Sequence, residues 1–165
     1  MKSRPRRIEN RVAECLTTHF LILGMGPVER KPVIGRTGPD LTINESRWAI
    51  DAKSRLAVPL AANKVKKGTI GTDRYGLLYI RLRDFPQIYS DLPISKDLIQ
   101  CTKSVKDWLD HMAEWSRVGD GGNSIPAIVL HRPGTWVDNA VFVFYSETRD
   151  KAKEIYKLWQ DEERS

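Results

Sequence analysis

Apolar residues recur at helical spacing from Ile8 through Val12, Cys15 and Leu16 to His19, which predicts an amphipathic helix over residues 5–20. The rhythm then breaks at Gly24, Gly26, Pro27, Pro32 and Gly35, so Leu21–Gly38 reads as one irregular strand with loops. From Asp40 the period changes to two. Leu41 and Ile43 alternate with polar residues, Asn44–Arg47 form a polar turn, and Trp48, Ile50 and Ala52 continue the alternation: a β-hairpin. Residues 56–94 are basic and loop-rich, with a strand expected at Gly76–Leu82 and breaks at Pro86 and Pro93; they read as an insertion or sheet extension. Ser95 is placed to cap a helix whose stripe of Leu98, Ile99, Val105, Trp108, Leu109 and Met112 runs on toward residue 118, with a break near Cys101–Lys103. Gly119-Asp-Gly-Gly-Asn123 ends it. Ile125–His131 and Ala140–Tyr145 read as buried strands around Pro133-Gly134, and a helix over 147–163 closes the chain. The order helix, strands, helix, strands, helix predicts an α/β fold in a single domain over residues 1–165.

The hairpin also has a chemical consequence. Centring the turn between Glu45 and Ser46 pairs Ile43 with Trp48 and Leu41 with Ile50, apolar against apolar on one face. The same register sets Asp40 opposite Asp51, with Cβ atoms roughly 5 Å apart, where like charges are destabilising unless neutralised. A divalent cation does this, and oxygen ligands without cysteine suit magnesium, manganese or calcium better than zinc. Lys53, two residues beyond Asp51, projects from the same face, where it neutralises charge, orients a water or binds a phosphate. Glu9 borders the stripe of the first helix and joins the site if that helix packs over this sheet edge. The competing reading makes Asp40 a turn cap and leaves Asp51 and Lys53 a weak pair on a solvated face.

Composition narrows the partners. With 165 residues, 41% hydrophobic and 29% charged, the chain is sized for one core, and its longest apolar runs fall well short of a bilayer span. No secretory leader is expected at the basic N-terminus, and Cys15 and Cys101 lack metal-ligand spacing and read as buried thiols, so a soluble cytoplasmic protein without a membrane partner is predicted. The net charge of +6 and pI near 9.4 arise partly from clusters at Lys2–Arg7, Lys64–Lys67 and Arg81–Arg83, which fit either a nucleic acid or solvated faces. Gly24-Met25-Gly26 lacks a third glycine, and neither a His-Glu-x-x-His nor a Gly-x-Ser-x-Gly motif occurs, which speaks against dinucleotide, zinc-hydrolase and serine-esterase chemistry. His19 and His131 read as structural histidines, and the five tryptophans as core or interface residues, with Trp136, in a turn, the exception.

Pro39-Asp40, a short gap, then Asp51-Ala52-Lys53 on an apolar strand resembles the PD-(D/E)XK motif of restriction-endonuclease-like nucleases. With Glu9 in the first helix and Ser54 after the lysine, the pattern is most similar to the Holliday junction resolvases. This resemblance implies an αβββαβ core, its central mixed sheet flanked by helices, with an inserted segment and an extra C-terminal strand and helix. It further implies a magnesium-dependent endodeoxyribonuclease, a homodimer acting on branched or four-way-junction DNA. Asp40, Asp51 and the Ala52 carbonyl would hold the metal, Lys53 would be the catalytic lysine and Glu9 an additional acid. Arg4, Arg6, Arg7, Arg36, Ser54, Arg55, Lys64, Lys66 and Lys67 are the candidate DNA contacts. The motif's last acid is Asp51 where glutamate is commoner, which shortens its reach by one methylene. His111 and Glu114 are weak candidates for a contribution from the second long helix. The alternative is a module on the same fold that binds nucleic acid without cutting it.

Overall fold

The structure, a computed structural model, describes residues 10–14, 28–30, 41–43, 46–54, 65–100, 103–119, 121–133 and 139–164. Residues 10–14 are helical (α1). The strands are β1 (Val28–Arg30), β2 (Leu41–Ile43), β3 (Trp48–Ser54), β4 (Ile70–Asp73), β5 (Leu77–Arg81), β6 (Ile94–Ile99), β7 (Ile125–His131) and β8 (Val141–Tyr145). Between β5 and β6 runs a 3-10 helix, Leu82–Tyr89; α2 is Lys103–Gly119 and α3 is Ser146–Arg164. The strands form one mixed sheet in the order β1-β2-β3-β7-β8-β5-β4-β6.

The expected hairpin register is observed: Leu41 pairs with Ile50, Thr42 with Ala49 and Ile43 with Trp48. Its turn is fastened to the sheet, since Ile125 N–H donates to the Arg47 carbonyl and Trp48 N–H to Ser46 Oγ. Arg47 takes a positive φ of 62° to make the corner. β3 then runs parallel to β7 along its whole length, from Trp48↔Ile125 to Ser54↔His131. All seven residues of β7 are buried, as an apolar strand covered on both faces must be. Pro126 falls in the stretch of β7 that β8 does not reach, so its missing N–H costs no bond on that side.

Alternation divides the core into two layers. On one face Trp48, Ile50, Ala127, Val129, Phe142 and Phe144 pack with Val12 of α1, the 3-10 helix and Ala152 of α3. Trp48 stands edge-on to Phe85, Phe142 and Phe144. On the other face Ile128, Leu130, Val141 and Val143 are covered by Val105 and Leu109 of α2. Left-handed Gly121 and Gly122, with Gly122 N–H donating to the Ser116 carbonyl, turn the chain from α2 into β7.

One expectation is corrected. The helix predicted from Ser95 starts only at Lys103; residues 94–99 are instead the edge strand β6, parallel to β4. Leu98, placed by helical spacing in the core, is 63% exposed, because the backbone bonds offered by β4 outweigh a stripe too short to bury. Residues 56–94, read as an insertion or sheet extension, are a sheet extension over their described part: they supply β4, β5 and the start of β6, which continue the same sheet beyond β8. The extra C-terminal strand and helix are β8 and α3. His131 is buried, as expected of a structural histidine. Cys15, His19, Cys101 and Trp136 lie outside the described residues. No helix among the described residues is long and apolar enough to cross a membrane.

Candidate metal and nucleic-acid site

The strand that fixes the hairpin register also fixes which way its charged residues point. Asp51 and Lys53 pair with Ile128 and Leu130, residues of the α2-facing core layer, so both project toward α2 at the C-terminal half of β3. Lys53 Nζ lies 3.1 Å from Asp51 Oδ2, with side chains only 23% and 17% exposed. Trp108, half-buried on α2, places its ring 5.7 Å from the same ammonium. A helix laid across a sheet thus gives one lysine a carboxylate on one side and an aromatic face on another. Ala52, between the two charged residues, points to the opposite layer and is half-buried.

On the neighbouring strand, Thr42 is paired with Ala49 and so shares the Asp51 face. Its Oγ1 is buried without a hydrogen-bond partner. Asp51 and Thr42 thus bring hard oxygen donors to one face, a type that suits magnesium or manganese better than a thiophilic metal, although they sit two residues apart along the strand direction. Among the described residues no three His, Cys, Asp or Glu side chains gather around one point. Asp40 and Glu9, which the sequence assigns to the same centre, lie outside the described residues. Val12, three residues after Glu9 in the sequence, belongs to the core layer on the opposite face from Asp51.

Along α2, His111, Glu114, Trp115, Val118 and Gly119 line an open groove of about 260 Å³. The Glu114 carboxylate is taken by Arg117, whose hydrogen bond and charge hold it below the usual carboxylate range. On the helix's other edge, Asp110 accepts from Lys106 and from the Tyr145 hydroxyl. Burial, then that bond to Asp110, push the Tyr145 phenol well above its ordinary range.

Of the expected DNA contacts, Lys66 and Lys67 are exposed on the turn before β4, and Ser54 ends β3. Arg4, Arg6, Arg7, Arg36, Arg55 and Lys64 lie outside the described residues. Sequence reasoning misses Trp108 and Thr42. Trp108 reads as an ordinary core residue of a helical stripe, and Thr42 differs from any strand threonine only through the register that faces it toward Asp51. No protein-family model, curated protein or solved structure matches this chain.

Proposed function

We propose that this protein is a metal-dependent DNA endonuclease of the PD-(D/E)XK type that hydrolyses phosphodiester bonds, with branched DNA such as a four-way junction as its substrate. The observation that carries the reading is the Asp51–Lys53 pair, projected from one face at the C-terminal half of β3. The chain order supports it: with the β4–β6 extension set aside, a helix, the antiparallel run β1-β2-β3, then α2 and a β7 parallel to β3 are compatible with the αβββαβ order of restriction-endonuclease-like nucleases. In this reading Asp51 and Asp40 would hold a magnesium ion together with the Ala52 carbonyl. The bound ion supplies charge neutralisation at the phosphate and a more acidic water. Lys53, steered by Asp51 and Trp108, presents its ammonium to a non-bridging phosphate oxygen and offsets the charge that develops there.

Purified protein incubated with linear, nicked, flapped and four-way-junction DNA tests the proposal. Cutting that requires magnesium, stops with EDTA and disappears in Asp51→Asn, while that variant still binds the junction, is the expected outcome. Junction binding without cutting under any divalent metal would sink it. The non-catalytic binding module then takes over, and one observation favours it: Lys53 already neutralises Asp51, so the pair is stable without a cation.

A further inference from the structure

β3 and β7 are parallel, β8 is antiparallel to both, and β5 is antiparallel to β8, so the C-terminal ends of β3, β7 and β5 share one end of the sheet. The start of β4, antiparallel to β5, lies there too. Residues far apart in sequence therefore line up along that rim: Lys53 near the end of β3, Arg132 just after β7, Arg83 just after β5, and Lys66 and Lys67 before β4. Arg132, Arg83, Lys66 and Lys67 are exposed. Their backbone is braced from within. Arg81 donates to the Val65 carbonyl and to Asn139 Oδ1, and Asp84 accepts from Gly68 N–H at 2.7 Å. The acid of this corner is thus buried and spent on holding the turn, while the cations face outward. At the far end of β3 the charges are mixed, with Glu154 and Glu162 of α3 set among Arg47 and Lys151.

We infer that this rim is a track for the phosphate backbone of duplex DNA, with Lys66, Lys67 and Arg83 gripping phosphates away from the Asp51–Lys53 pair. From β3 to β4 there are four inter-strand steps. At about 4.8 Å each they span roughly 19 Å, the length of five to six base pairs at about 3.4 Å per step. The extension made by β4 and β5 thus acts as a ruler that holds an arm of the substrate half a helical turn from the reacting phosphate. Contacts of this kind read charge and spacing and carry no base preference. Only the position of the cut rests on the nuclease reading; the track itself binds DNA whether or not cleavage follows.

Duplexes of about five and about twelve base pairs are titrated against the full-length protein in EDTA over a range of salt, by fluorescence anisotropy. Comparison is made with Lys66→Ala/Lys67→Ala/Arg83→Ala, the charge-preserving Lys66→Arg/Lys67→Arg/Arg83→Lys, and Lys151→Ala/Lys153→Ala/Lys157→Ala on α3. The rim triple should lower the slope of log K against log salt by about 2 to 3, near 0.9 for each phosphate no longer neutralised. It should also lose the advantage of the longer duplex. The charge-preserving set should keep both, and the α3 triple should leave the slope unchanged. An unchanged slope in the rim triple, an equal loss from the α3 triple, or no duplex binding by the wild type overturns the track. Binding with the expected slopes but no magnesium-dependent cutting retains the track and removes the nuclease; cutting with an unchanged slope does the reverse.

Discussion

At the scale of single residues, Lys53 sits between two partners of different kinds. The pair with Asp51 is partly screened by solvent, and such pairs contribute little to stability. The Trp108 face restricts where the ammonium sits without neutralising it. This gives Trp108 a positioning role separable from packing. Trp108→Phe keeps an aromatic face and Trp108→Leu does not, while both leave a half-buried apolar side chain. We expect Trp108→Leu to lower kcat for magnesium-dependent cleavage about two- to fivefold, the equivalent of roughly 0.5–1 kcal/mol of cation–π attraction, with KM little changed, and Trp108→Phe to recover most of it. Steady-state kinetics beside thermal melts decide the matter: a loss that tracks Tm equally in both variants would make Trp108 a packing residue only.

At the scale of elements, what is legible in the sequence depends on how local the deciding interaction is. The β2–β3 register is readable because a one-residue slip would turn Trp48 and Ile50 out of the core, so apolar pairing alone selects it. With the register comes the shared face of Asp51 and Lys53. The neighbours of that pair are not readable: Trp108 reaches Lys53 only through the angle at which α2 crosses the sheet, which no periodicity encodes. β4 is four residues including Gly71, too short to show alternation, and exists because β5 and β6 pair with it on both sides. β6 reads in sequence as the start of α2 because Leu98 and Ile99 satisfy helical spacing behind Ser95 as a cap, while pairing across space decides otherwise. A substitution separates the two arrangements. In an exposed edge strand Leu98→Thr should change stability by no more than about 0.5 kcal/mol. In a buried helix stripe, truncating a leucine costs about 2–5 kcal/mol. Urea melts should show a midpoint close to wild type, and a large fall would restore the helix.

At the scale of the whole molecule, the two core layers are tied to the sheet through tyrosines. Tyr89 of the 3-10 helix accepts from Trp48 Nε1 across 2.9 Å, joining that helix to β3, and its ring stacks on Tyr156 of α3. Tyr145 of β8 donates to Asp110 of α2 on the opposite layer. Burial holds the Tyr89 phenol far above the ordinary tyrosine range, with the Trp48 N–H pulling slightly the other way, and burial with the Asp110 bond does the same for Tyr145. Both groups have folded-state pKa values raised above those of the unfolded chain. Their contribution is therefore complete below about pH 10, the ordinary tyrosine value, and is lost as pH rises above it, because the unfolded chain then binds fewer protons than the folded one. Alkaline titration of phenolate absorbance should leave the Tyr89 and Tyr145 phenols silent until the protein unfolds, at which point they ionise together with the loss of near-UV signal. Tyr89→Phe sharpens the test. It leaves Trp48 Nε1 without its acceptor, which costs about 1–3 kcal/mol at neutral pH, yet it removes one source of alkaline sensitivity, so the stability curves of variant and wild type should converge above about pH 10. Curves that stay parallel through that range would mean that Tyr89 ionises alike in both states and that the junction between the 3-10 helix and β3 is open to water.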